Sequence, residues 1–184
     1  MKNMIKKLIT KITCNAVIAL LIGWSISLTA LEVGDKAPNF RLEASDGKTY
    51  QLSDLTAKQA VVIAWYPFAF TSGCTIECKS LAENGHLLKR LDVAYFMASV
   101  DPVEKNREFA EEYKADFPLL SDPSKQTARD YEVLSLGMYA KRHTFYIGKD
   151  GTILFIDRDV RPAQSAQDMA AKLEELGVPA RIPS

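Results

Sequence analysis

Two apolar runs, residues 60–66 and 93–100, the second interrupted only by Ser99, constrain this 184-residue chain most. Each has the length of a strand, and neither alternates as a half-exposed strand does, so both read as strands covered on two faces. Helices must supply the cover. Apolar spacing makes residues 74–91 helical, and Asp101-Pro102 opens an amphipathic helix over 103–113. A shorter helix is predicted at 125–131, and a closing one at 163–176, ended by Gly177 and Pro179. Further strands are predicted at 40–44 and 49–52 about Ser45-Asp46-Gly47-Lys48, and at 143–147 and 152–157 about Gly148-Lys149-Asp150-Gly151. This alternation predicts an α/β domain with a central mixed sheet and helices on both faces, its last two strands antiparallel. No repeat, low-complexity tract or linker follows residue 31, so a single domain is predicted over residues 31–184.

Residues 1–30 are of another kind. Lys2, Lys6, Lys7 and Lys11 make a basic start without an acid, and no charge occurs from Ile12 to Leu31. That is the layout of a secretory signal peptide; twenty uncharged residues also suffice to cross a bilayer once as an anchor. Cleavage after Ala30 leaves the bulky Leu28 three places back, while Ser25-Ile26-Ser27 offers smaller residues. On either reading the domain is expected to be exported, to the periplasm or the outer face of the inner membrane. In the uncleaved case residues 12–31 attach it to the membrane. Cys14 lies too early in the apolar run for lipid attachment and reads as a passive residue.

This leader holds four of the 23 basic side chains and none of the 23 acidic ones, which leaves a net charge of −4 beyond it. Such a balance gives no sign of a nucleic-acid partner. A domain of this length buries a core without staples. Its two cysteines, Cys74 and Cys78, are too few and too close to form a disulfide framework. In an oxidising compartment such a pair suggests chemistry.

The stretch Pro67-Phe68-Ala69-Phe70-Thr71-Ser72-Gly73-Cys74 carries that chemistry. It joins a strand to a helix whose first turn holds Cys74, where unpaired backbone N–H groups favour negative charge and hence the nucleophilic thiolate. Thr71 adds a hydroxyl nearby. Taken singly, each residue has a plain explanation: a core cysteine, a solvated arginine at a strand start, a proline punctuating a strand. Taken together, the spacing of Pro67, Thr71 and Cys74 and the placing of Arg142 ahead of Thr144-Phe145-Tyr146-Ile147 do not.

The pattern Pro-x-x-x-Thr-x-x-Cys resembles the active-site signature of the peroxiredoxins, in particular their bacterioferritin-comigratory (Q-type) branch. The resemblance runs from Val33-Gly34-Asp35-Lys36-Ala37-Pro38-Asn39-Phe40 through Phe117-Pro118-Leu119-Leu120-Ser121-Asp122 to Arg142-His143-Thr144 and Lys149-Asp150-Gly151. It implies a thioredoxin-like fold and a thiol-dependent peroxidase that reduces hydrogen peroxide and organic hydroperoxides through a sulfenic acid. Cys74 is then the nucleophile. Arg142 serves sulfur and leaving oxygen with its planar fork, Thr71 donates a hydrogen bond while accepting one from the backbone, and Pro67 walls the pocket. Phe68, Phe70 and Met138 are candidates for its apolar lining. A thioredoxin-like or small-thiol reductant and a monomer or weak dimer are expected, and no organic or metal cofactor is called for.

Cys78 is the candidate resolving thiol, with one departure: the family's resolving cysteine on this helix lies five positions on, where this chain has Lys79. Residues four apart share a helix face with Cβ atoms about 5–6 Å apart, farther than the roughly 3.5–4.5 Å of a disulfide. A turn must unravel first, and one-cysteine chemistry or a structural Cys78 stay open beside it. The spacing Cys-x-x-x-Cys with a later histidine also resembles the Sco copper chaperones, with Cys74, Cys78 and His143 as the soft-metal set. That family's cysteines are each followed by proline, here by Thr75 and Lys79. Strand alternation also sends His143 away from the face of Arg142. A thioredoxin-type disulfide exchanger needs two residues between the cysteines, not three.

Overall fold

The computed structural model describes residues 30–182, and the leader apart from Ala30 lies outside them. Among the described residues, nine strands form a seven-stranded sheet and a separate hairpin: β1 Arg41–Ala44, β2 Thr49–Gln51, β3 Ala60–Trp65, β4 Val93–Ser99, β5 Leu119–Ser121, β6 Leu134–Ser135, β7 Tyr139–Ala140, β8 Thr144–Ile147 and β9 Ile153–Asp157. The helices are α1 Leu52–Thr56, α2 Ser72–Asn84, α3 His86–Lys89, α4 Val103–Glu112, α5 Gln126–Asp130 and α6 Ser165–Glu175, the last led by a 3-10 turn at Pro162–Gln164.

The sheet runs β2-β1-β5-β4-β3-β8-β9. The pairs β3·β4 and β4·β5 are parallel, and β1·β5, β3·β8, β8·β9 and β1·β2 are antiparallel. This is the mixed α/β sheet the alternation predicts. The two apolar runs become its central strands, and every residue of β3 is buried. Parallel neighbours need crossovers, and the helices that make them cover the faces.

Side chains of β3 leave in turn to opposite faces, so the strand feeds two cores. Val62, Ala64 and Tyr66 meet Leu81 of α2, Phe109 of α4 and Met169 and Leu173 of α6. Val61, Ile63 and Trp65 meet Leu52, Ala128, Tyr131 and Phe145. Trp65 is 1 % exposed at the end of β3, its ring 6.0 Å from that of Tyr131.

Three local features differ from the sequence reading. The helix predicted over 74–91 starts two residues earlier and is divided at Gly85, where the Tyr95 hydroxyl lies 2.7 Å from the place of a Cβ. Leu52, predicted to end a strand, begins α1 instead. The short elements β5, β6, β7 and α1 were too brief to leave a periodic trace.

Leu81, fully buried beneath α2, tests how firmly that helix is held. Leu81→Ala is expected to remove about 2–5 kcal/mol of stability, measured as a lower urea midpoint with an unchanged slope.

Candidate active site

Cys74 lies in the first turn of α2 and is fully buried, beside the carboxyl end of β3. Thr71 is the N-cap, with extended backbone angles and no side-chain cap bond. The bend before it is tight: Phe70 sits at φ 67°, a left-handed conformation that bulky side chains avoid. Pro67 heads the bend and is half-buried.

Arg142 arrives from the segment just ahead of β8. Ala64 pairs with Thr144, and Trp65 N–H donates to the His143 carbonyl at 2.9 Å, which fixes the residues ahead of β8 beside the end of β3. The guanidinium then divides its fork. Nη2 lies 3.1 Å from Cys74 Sγ, and Nη1 forms an ion pair with Glu77. A Cβ on Gly73 would stand 3.1 Å from Nη2, so the approach over the helix start has little room to spare.

Glu77 was not singled out from the sequence, although a signal was there. Three positions after Cys74, it lies on that residue's side of the helix, and a carboxylate buried there needs a cation. It is fully buried, and Ser165 Oγ donates to its Oε1 at 3.2 Å. Burial pushes its carboxyl above the ordinary range, opposed by Arg142 and Ser165. For Arg142 burial works the other way, but the charges of Glu77 and Cys74 outweigh it and hold the guanidinium protonated.

Thr71 departs from the expected geometry. Its hydroxyl donates to the Phe68 carbonyl at 2.9 Å instead of to the sulfur, because the turn folds that carbonyl beneath it; its oxygen keeps free lone pairs toward solvent. The three apolar candidates diverge. Phe68 leans on Tyr139, Phe70 is turned edge-on to Phe109 of α4 at 5.1 Å, and Met138 stands exposed between β6 and β7. Cys78 is fully buried, and both cysteines are free. Burial, with the charges of Glu77 and Cys74, pushes the Cys78 thiol up to about 12.

The copper-carrier set does not assemble. Among the described residues no group of three or more His, Cys, Asp or Glu side chains is placed to hold a metal. His143, half-buried, has its pKa lowered by burial and by Arg158 and Lys141.

A thiol sealed in the first turn of a helix, on a thioredoxin-like sheet and with a guanidinium on its sulfur, defines a class of cysteine-based oxidoreductase. Residues 33–156 match the model of the AhpC/TSA family, and the chain belongs to that family. Peroxiredoxin Bcp of Escherichia coli (strain K12) is 33% identical over 141 residues, covering 73% of this chain and 90% of that protein. Peroxiredoxin Bcp of Bacillus subtilis (strain 168) is 29% identical over 153 residues, covering 79% and 97%. Among solved structures, peroxidoxin BcpB from Mycobacterium tuberculosis superposes with a TM-score of 0.72 at 31% identity, covering 79% of this chain and 97% of that one. The thioredoxin-like fold and the thiol-dependent peroxidase class expected from the motifs are thereby borne out, and nothing in these relatives supports a copper chaperone.

The state of Cys78 can be read directly. With a folded-state pKa near 12 against an ordinary 9.0, the folded chain holds this proton more firmly than the unfolded one. Its contribution to stability is whole below pH 9.0 and is lost as the pH rises toward about 12. In a Cys14→Ser, Cys74→Ser chain, where Cys78 is the one remaining thiol, thiolate absorbance is expected to stay flat through neutral pH and to rise only in that alkaline window; a titration near neutrality would contradict the burial.

Proposed function

We propose that Cys74 is the sulfur that peroxide oxidises, with Arg142 as the charge that meets it and Glu77 as the anchor that aims Arg142. The 3.1 Å contact between Arg142 Nη2 and Cys74 Sγ carries this reading. Held by Glu77, the guanidinium beside the sulfur is already placed for the charge that develops on reaction. The thiolate attacks one oxygen of the hydroperoxide; the S–O bond forms as the O–O bond breaks. The departing alkoxide or hydroxide takes a proton from solvent, and Cys74 is left as a sulfenic acid, oxidised by two electrons. The Thr71 oxygen accepts from the peroxide O–H, and Pro67 walls the approach without adding a donor. Hydrogen peroxide and organic hydroperoxides are the proposed substrates.

Cys78 is proposed to resolve the sulfenic acid: its sulfur displaces water to give a disulfide, which a thioredoxin-like or small dithiol reductant then reduces. Buried and neutral, it does not react in the closed helix. Opening the first turns of α2 both brings the sulfurs within bonding distance and returns Cys78 to an ordinary thiol environment. The basic start and uncharged run of residues 1–30 support export of the domain as a further proposal.

Intact mass after one equivalent of peroxide separates the outcomes. Loss of two hydrogens is expected from the native chain, gain of one oxygen from Cys78→Ser, and no change from Cys74→Ser. Arg142→Lys, which gives up the fork, is expected to slow oxidation by about 10²-fold, measured by rapid mixing. Undiminished turnover without Cys74 would sink the assignment.

A further inference from the structure

We propose that Asp101 is a positioning residue for the peroxide reaction: through the backbone N–H of Ala69 it fixes the bend that presents Cys74. The inference rests on Cys74 being the sulfur that peroxide oxidises. Asp101 stands just ahead of α4, well away in sequence from every residue placed at the site. Its carboxylate is 5% exposed; Oδ2 accepts from Ala69 N–H at 2.8 Å, and Oδ1 pairs with Lys105 Nζ at 2.7 Å. The Ser99 hydroxyl accepts from Asp101 N–H at 3.2 Å and lies 3.2 Å from both Asp101 Oδ2 and Asn106 Oδ1, with one proton to give. Asn106 Oδ1 accepts from the Tyr66 hydroxyl at 2.7 Å. One buried polar cluster therefore ties both the foot of the bend, at Tyr66, and its middle, at Ala69.

Phe70 shows why such a tie is needed. A bulky residue at φ 67° stays there only when its surroundings impose it. Its ring is set against Phe109 on one side, and the peptide N–H next to it in the chain is set on Asp101. Without the carboxylate, Ala69 N–H is buried with no acceptor and the bend relaxes toward an unstrained conformer. Thr71 and the start of α2 move with it, away from Arg142. Misplacement of a reacting group by about 1 Å costs on the order of 10²-fold in rate. Asp101 touches neither the sulfur nor the place of the peroxide, so it acts through the bend alone.

Three measurements on the full reduced chain test this. Single-turnover oxidation by hydrogen peroxide is expected to slow by roughly 10–100-fold in Asp101→Ala. Most of the rate returns in Asp101→Asn, whose amide oxygen can still accept from Ala69. Labelling of the buried Cys74 by a bulky maleimide, in a Cys14→Ser, Cys78→Ser background, is expected to speed up in the alanine variant, which general loss of the site would not combine with asparagine rescue. In the native chain, the Ala69 amide is expected to exchange with solvent far more slowly than an open loop amide, a measurement that stands even if the alanine variant does not fold. A folded Asp101→Ala that oxidises at the native rate, an asparagine variant as slow as alanine, or a freely exchanging Ala69 amide each overturns the proposal. If peroxide leaves the native Cys74 unmodified, the assignment of the sulfur fails instead, and labelling and exchange still decide whether the bend is tied.

Discussion

One guanidinium between a buried carboxylate and a buried sulfur organises this molecule's chemistry. Glu77 inside a helix would be costly by itself, and Arg142 offsets that cost only where its fork reaches both Glu77 and Cys74. The pair is therefore structural and chemical at once. It locks α2 to the segment ahead of β8 that carries Arg142, and Ser165 extends the lock to the start of α6. Three elements distant in sequence meet at one charge. Lysine could not replace the arginine here, since a point charge cannot serve two acceptors in a fixed plane.

The same helix is asked to do two opposing things. Held closed, α2 keeps Cys74 under Arg142 and Cys78 sealed below it as a neutral thiol. Joining the two sulfurs requires that helix to come apart at its start, because partners four residues apart on an intact helix stand too far from each other. The bend ahead of α2 is tied, but Thr71 makes no side-chain cap bond, so the first turn of the helix lacks one hold that would keep it closed. Rigidity for attack and ease of opening for resolution thus belong to different parts of one element.

Much of this was legible in the residues. The long apolar runs read as covered strands, and the turn signals marked β1·β2 and β8·β9 as antiparallel, while β1·β5 and β3·β8, joined by no hairpin, left no such signal. Cys74 and Arg142, separated in sequence, were joined by the motif before their contact was seen. The spacing of Glu77 from Cys74 was a readable signal, but helix spacing alone does not say whether such an acid is buried or solvated; that depends on what packs opposite. Thr71 was misread in its partner, since whether a hydroxyl bonds sulfur or carbonyl is decided by the turn, not by the residue. Asp101 is silent in sequence for the same reason. It looks like an ordinary helix opener with Pro102, and only the sheet brings it beneath Ala69.

Trp65 ends the strand that runs into the bend, buried against Tyr131, and beyond residue 30 the chain has no other tryptophan. One residue, Tyr66, separates it from the proline where the backbone turns toward Cys74. An indole so placed is a resident optical gauge: its emission is coupled to the local dielectric and packing at the foot of the bend. The domain thus carries its own dye for following each turn of its cycle in real time, with no label attached.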